Sequence, residues 1–139
     1  MQLLNPYLYF NGQCEEAFKF YAKVLGGEIK AMLSPRGSPM EKQTSPERLD
    51  KIMHARLVFG DKVLMASDAP PEQYQTPQGF SVTIGVDTPA EAERIYNTFA
   101  EGGTVIMAMG PTFFAERFGM LKDKFGIPWM VLCEKKAAA

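Results

Sequence analysis

The sequence has little of several things that would narrow its function quickly. Histidine occurs once and cysteine twice in 139 residues, so neither a histidine cluster nor a disulfide framework is available. Neither charge sign is in excess, with Lys plus Arg at 15 against Asp plus Glu at 16. A chain without a basic surplus has no means of neutralising a run of phosphates, so nucleic-acid binding is not expected. The longest apolar runs, such as residues 129–133, fall far short of the roughly 20 that span a bilayer. No basic start and apolar run of a signal peptide is seen, so no membrane partner is expected and the protein is read as soluble and cytoplasmic. Hydrophobic residues at 46% and charged residues at 22% suffice for a packed core and exclude a disordered or fibrous chain.

What the sequence does have is an internal repeat. Residues 7–33 and 83–109 read alike at an offset of 75 to 76. Each copy opens with an apolar strand (6–10 and 80–86), followed by a polar pair, Asn11-Gly12 or Asp87-Thr88. Thr88 with Glu91 forms a capping-box pattern, and Pro89 suits the first helical position. Ala17, Phe20, Tyr21, Val24 and Leu25 then make one helical stripe, and Ala92, Ile95, Tyr96, Phe99 and Ala100 repeat it. Gly26-Gly27 and Gly102-Gly103 supply C-terminal caps. The helices agree at an offset of 75 and the glycines at 76, so one residue must be absorbed in the last turn. Strands 28–33 and 104–109 follow.

Two further strands complete each copy. The first pair, 52–59 and 62–66, is joined by a tight Gly60-Asp61 turn. The second, 118–122 and 128–134, is joined around Lys124-Phe125-Gly126. Each copy reads β-α-β-β-β, and the fold class is α+β. The organisation expected is one domain, 1–139, of two modules, 1–68 and 79–136, joined by a Pro-rich 69–78. The stretch 34–50 holds three prolines among charges and reads as a mobile surface loop or, alternatively, a substrate lid.

Paired modules of this kind resemble the glyoxalase, bleomycin-resistance and extradiol-dioxygenase superfamily, the vicinal oxygen chelate fold. The sharper resemblance is to its PhnB-like branch. It rests on Pro6-Tyr7-Leu8 with Phe10-Asn11-Gly12, on Glu16-Ala17-Phe18 with Phe20-Tyr21, and on Leu25-Gly26-Gly27. Ile52-Met53-His54-Ala55, Leu64-Met65-Ala66-Ser67-Asp68 and the run from Asp123 through Gly126 and Trp129 to Met130 extend it over nearly the whole chain. The resemblance implies mixed or antiparallel sheets curling around a concave pocket with helices outside, and a homodimer. Some relatives carry a methyltransferase label, but the glycine pairs here follow helices and read as caps rather than phosphate cradles.

Metal-using members of the superfamily place four His or Glu ligands on the pocket floor, two per module. Carried over, those positions fall on Asn5, Met65, Ser81 and Met130. An amide, two thioethers and a hydroxyl do not make a site for divalent zinc, nickel, iron or manganese. No metal and no cofactor is therefore expected, and Met65 and Met130 read more simply as gap-filling core methionines.

The remaining candidates concern a small-molecule ligand. Strand alternation sets Tyr7, Tyr9, Ser67, Ser81 and Thr83 beside those four positions, and convergent hydroxyls in an apolar cavity orient a ligand. His54 shares a strand face with Ile52, Arg56 and Val58. It is a candidate general base, with Asp68, just past a strand end, as its partner. The plainer reading is a surface or structurally bonded histidine. Phe113, Phe114, Phe118, Phe125 and Trp129 read as core or dimer contact. Cys14 lies where a helix dipole lowers a thiol pKa, although Glu15 and Glu16 oppose that. The tail 135–139 reads as frayed. Three functions stay open: a metal-free small-molecule-binding protein, a metal-dependent glyoxalase- or dioxygenase-type enzyme, and a non-catalytic dimeric interaction protein.

Overall fold

A computed structural model describes residues 1–136; the tail expectation for 137–139 lies outside the described residues. The chain divides into two compact units, Met1–Gln75 and Thr76–Ala139. The first contains β1 (Tyr7–Phe10), α1 (Cys14–Leu25), β2 (Glu28–Leu33), β3 (His54–Phe59) and β4 (Lys62–Asp68). The second contains β5 (Val82–Val86), α2 (Pro89–Ala100), β6 (Thr104–Gly110), β7 (Ala115–Lys122) and β8 (Pro128–Glu134). The strand orders are β1-β4-β3-β2 and β5-β8-β7-β6. The first and last strands of each module pair in parallel, and the other pairs are antiparallel. The repeat is thus one topology built twice, and the α+β class holds. Among the described residues no helix is long and apolar enough to cross a membrane.

Each helix covers one face of its own sheet because its apolar stripe has the helical period. In α1 the buried residues are Cys14, Ala17, Phe18, Tyr21 and Val24. The stripe is rotated slightly from expectation, toward Cys14 and Phe18, leaving Phe20 and Leu25 half-buried. In α2 Ala92, Ile95, Tyr96 and Phe99 are buried as expected. Beneath the helices lie Leu8, Phe10, Ala55, Leu57, Leu64 and Ala66 in the first unit, and Leu121, Trp129, Val131 and Cys133 in the second.

The residue that the repeat offset requires to be absorbed is Glu101. Helix α1 ends in Gly26, whose φ of 77° closes the last turn with its N–H on the Ala22 carbonyl. Helix α2 inserts Glu101 in an extended conformation before Gly102, at φ 73°. A side chain on the following Gly103 would strike the Lys122 carbonyl, so the chain needs glycine there to enter β6.

Several boundaries move. β3 begins at His54, not at Ile52, because the Ile52 N–H is taken by the Asp68 carboxylate. β4 runs on to Asp68 and β7 starts at Ala115, both longer than expected. The stretch 34–50 is not structureless. It holds 3-10 turns at Glu41–Gln43 and Pro46–Arg48. Its ends are tied by Arg36, which bonds both oxygens of Asp50 at 2.7 and 3.2 Å and donates its backbone N–H to the Leu49 carbonyl.

Candidate functional site

A strand sends alternate side chains to opposite faces, so each sheet has one face under its helix and one open face. In the first unit the register sets Tyr7 beside Met65, Met65 beside Arg56, and Arg56 beside Ala31. The next row joins Tyr9 with Ser67 and His54 with Leu33. Continuing the β3–β4 register by one step from Ala55 and Ala66 brings Ser67 opposite His54. Tyr7, Tyr9, Met65, Ser67 and His54, all singled out from the sequence, therefore share one face, and Arg56 lies among them.

The side chains on this face make contact. The Tyr7 hydroxyl oxygen lies 3.4 Å from His54 Nδ1, a long hydrogen bond, with ring centroids 6.0 Å apart. Tyr7 and Tyr9 tilt against each other at 5.1 Å. Tyr9 is 56% exposed, so the face is open to a ligand. A cleft of about 410 Å³ adjoins it, lined by Tyr9, Ser67, Asp68, Pro70, Gln73 and Gln75. Asn5 precedes β1 and donates only to its neighbour's carbonyl, that of Pro6.

In the second unit the corresponding row is Thr83, Met130, Met120 and Met107. The Thr83 hydroxyl donates to the Met130 sulfur at 3.7 Å. Ser81 and Met130 line a cleft of about 470 Å³ with Phe80, Ile106, Lys122 and Pro128. Met65 and Met130 are thus not core methionines: both lie half-buried on open faces.

Asp68 requires the main correction. It is not a free partner for His54, since it is buried on the helix side of β4, the face opposite His54. Its two oxygens accept the backbone N–H groups of Cys14 at 2.9 Å and Ile52 at 2.8 Å. It is a long-range cap on α1, whose own N-cap residue Gln13 makes no side-chain bond. Cys14 is likewise no activated thiol. Burial, and then the charges of Asp68 and Glu15, push its pKa well up. Cys133 is also raised, by burial first and then by Glu116. Phe118, Phe125 and Trp129 are buried, but Phe113 is 90% exposed and Phe114 half-exposed.

Asn5, Met65, Ser81 and Met130, the positions carried over by resemblance, offer an amide, a hydroxyl and two thioethers, side chains that do not suit a hard or borderline divalent ion. Among the described residues of either unit, no three His, Cys, Asp or Glu side chains form a group able to hold a metal.

Sequence reading named Arg56 only as a face-mate of His54, not as a site candidate, and did not single out Gln73 or Gln75. The signal for Arg56 was present in its two-residue spacing from His54. The two glutamines join the cleft only through the path of the chain after β4, which no local pattern announces.

A sequence profile of the 3-demethylubiquinone-9 3-methyltransferase family matches residues 2–132. The chain belongs to this family. Escherichia coli Protein YjdN is 33% identical over 136 residues, covering 92% of each chain. The crystal structure of protein PA1353 from Pseudomonas aeruginosa is 50% identical and superposes with a TM-score of 0.90 over 98% of this chain and 100% of that one. At the level of fold alone, the family member is similar to a glyoxalase/bleomycin resistance/dioxygenase family enzyme from Burkholderia phytofirmans PsJN. That enzyme is 15% identical with a TM-score of 0.63, over 93% of this chain and 95% of that chain. The PhnB-like resemblance and the two-module superfamily fold both stand.

Proposed function

We propose that this family member is a small-molecule-binding protein that works without the superfamily's divalent metal, and that its ligand lies on the open face of the first sheet. The observation that carries this reading is the gathering of Tyr7, Tyr9, His54, Ser67 and Arg56 around Met65, beside a cleft whose volume lies within the range of ligand pockets. Few polar groups on an aromatic floor suffice to orient a ligand, and binding asks nothing more. The donors at Asn5, Met65, Ser81 and Met130 support the metal-free part of the reading.

The protein is further read as a cytoplasmic homodimer. Two buried, unpaired cysteines suit a reducing compartment. Val105, Ile106 and Met107 on the edge strand β6 are each about half exposed, and an uncharged apolar edge is a natural site of association.

Native mass spectrometry of untagged protein purified without chelator tests metal and assembly together, with a metal-free dimer as the expected mass. One divalent ion per chain would instead make a glyoxalase- or dioxygenase-type enzyme the leading reading. A thermal-shift screen against a metabolite library tests binding, and a complete absence of hits would remove the proposal's main support.

A further inference from the structure

The first sheet's open face carries a cation that nothing in its own unit satisfies. The sequence has five arginines. Arg36 pairs with Asp50, Arg94 with Glu91 and Arg117 with Glu93, while Arg48 donates to the Asp68 carbonyl. Of the five, Arg56 alone has no side-chain hydrogen bond or ion pair among the described residues. It is half-buried in the middle of the sheet, with Met65 on one side and Ala31 on the other. The carboxylate that shares its face, Glu28 opposite Val58, already holds Lys30 at 3.0 Å.

Partial burial of an unpaired charge is unfavourable, and a bound counter-charge relieves it. A guanidinium presents a planar fork that matches two oxygens of a carboxylate or phosphoryl group. The neighbour of Arg56 on β2, Ala31, carries only a methyl group. His54, two residues along the same strand, and the Tyr7 hydroxyl bonded to it supply further polar contacts within the same two rows. The tilted pair Tyr7 and Tyr9 offers an apolar surface running toward the cleft at Ser67, Gln73 and Gln75.

We propose that this face binds a small organic anion, its oxyanion on Arg56 and its apolar body along Tyr7 and Tyr9. This deepens the reading above and rests on it, adding the ligand's charge and the residue that selects it. The shared chemistry is an oxyanion on a compact apolar body, and a carboxylate and a phosphate monoester are the two sources to be told apart.

The test is titration of the full-length protein, followed by NMR, with benzoate, phenyl phosphate and neutral benzamide. Either anion is expected to bind about tenfold or more tightly than benzamide, with shifts at Tyr7, His54 and Ser67. The tighter of the two anions identifies the source. Arg56→Gln should bring the preferred anion down to the level of benzamide, while Arg56→Lys, which keeps the charge and loses the fork, should fall between. Equal binding of benzamide and the anions by the unaltered protein would overturn the anion proposal and leave the binding site standing. An unchanged affinity in Arg56→Gln would do the same. Absence of saturation by any probe at millimolar concentration would also overturn the anion proposal, and hits in the metabolite screen would then still support the broader reading.

Discussion

The two modules share strand order, helix placement and register, yet corresponding positions on their open faces differ in chemistry. The row that reads Tyr7, Met65, Arg56, Ala31 in the first unit reads Thr83, Met130, Met120, Met107 in the second. One row offers a phenol, a guanidinium and the neighbouring imidazole. The other offers thioethers and a hydroxyl already spent on sulfur. The helix-facing positions do not diverge in this way, because both must fill the space between a sheet and a helix with apolar volume. Duplication fixed what packing demands and left the uncovered face free to change. Side chains able to donate to a ligand are accordingly concentrated on the open face of the first unit.

The modules also differ in how they are fastened, and that difference can be broken by substitution. Each has one buried aspartate, at non-equivalent places. Asp123 closes the β7–β8 loop, accepting the N–H groups of Phe125 and Ile127 on one oxygen and the Trp129 indole N–H, at 2.8 Å, on the other. Asp68 satisfies two donors and ties β4 to the start of α1. Each buried donor left without an acceptor costs about 1–3 kcal/mol. Asp123→Ala should therefore cost about 4 kcal/mol and Asp68→Ala about 3 kcal/mol in urea unfolding at neutral pH. A cost below about 1 kcal/mol for either would remove that carboxylate from the fastening.

The pair also shows what was and was not legible beforehand. The β-α-β-β-β repeat could be read because periodicity, capping residues and glycine positions are local and recur. Even the extra residue before Gly102 followed from the offset. The role of Asp68 could not be read so. An aspartate at a strand end looks the same whether it serves a histidine, a cation or the backbone of residues 54 and 16 positions away. What decides is the β1-β4-β3-β2 order together with the extension of β4 to Asp68, since alternation then turns Asp68 to the helix side and Ser67 to the open one. The Tyr7–His54 contact depends on the same order, reaching from β1 past β4 to β3.

A second contrast lies in the thiols. Cys14 sits beside two carboxylates under α1, and its pKa is raised by burial, Asp68 and Glu15. In the unfolded chain the thiol ionises near its ordinary 9.0, while in the folded protein it keeps its proton. The unfolded state therefore binds fewer protons above pH 9, and stability must fall as pH rises. The contribution of this one group approaches about 1.4 kcal/mol per pH unit. Cys14→Ala should flatten that part of the stability–pH curve, whatever it costs at pH 7. Chemical denaturation at pH 8, 9 and 10 checks this, and parallel curves for the two proteins would mean that Cys14 titrates normally when folded.

The smallest effect expected concerns the two helix starts, which solve one problem by different means. In α2 the Thr88 hydroxyl accepts the Glu91 N–H at 3.2 Å, a cap supplied from within the helix's own sequence. In α1 the N-cap Gln13 has no such bond, and the acceptor comes from Asp68 across the sheet. Thr88→Ala should then cost about 1 kcal/mol, and Gln13→Ala close to nothing, in the same unfolding assay. If Gln13→Ala cost as much as Thr88→Ala, the first helix would be capped locally after all. Asp68 would then be bracing Ile52 and the entry to β3 rather than the helix, and the ordering of the two aspartate variants would widen in favour of Asp123.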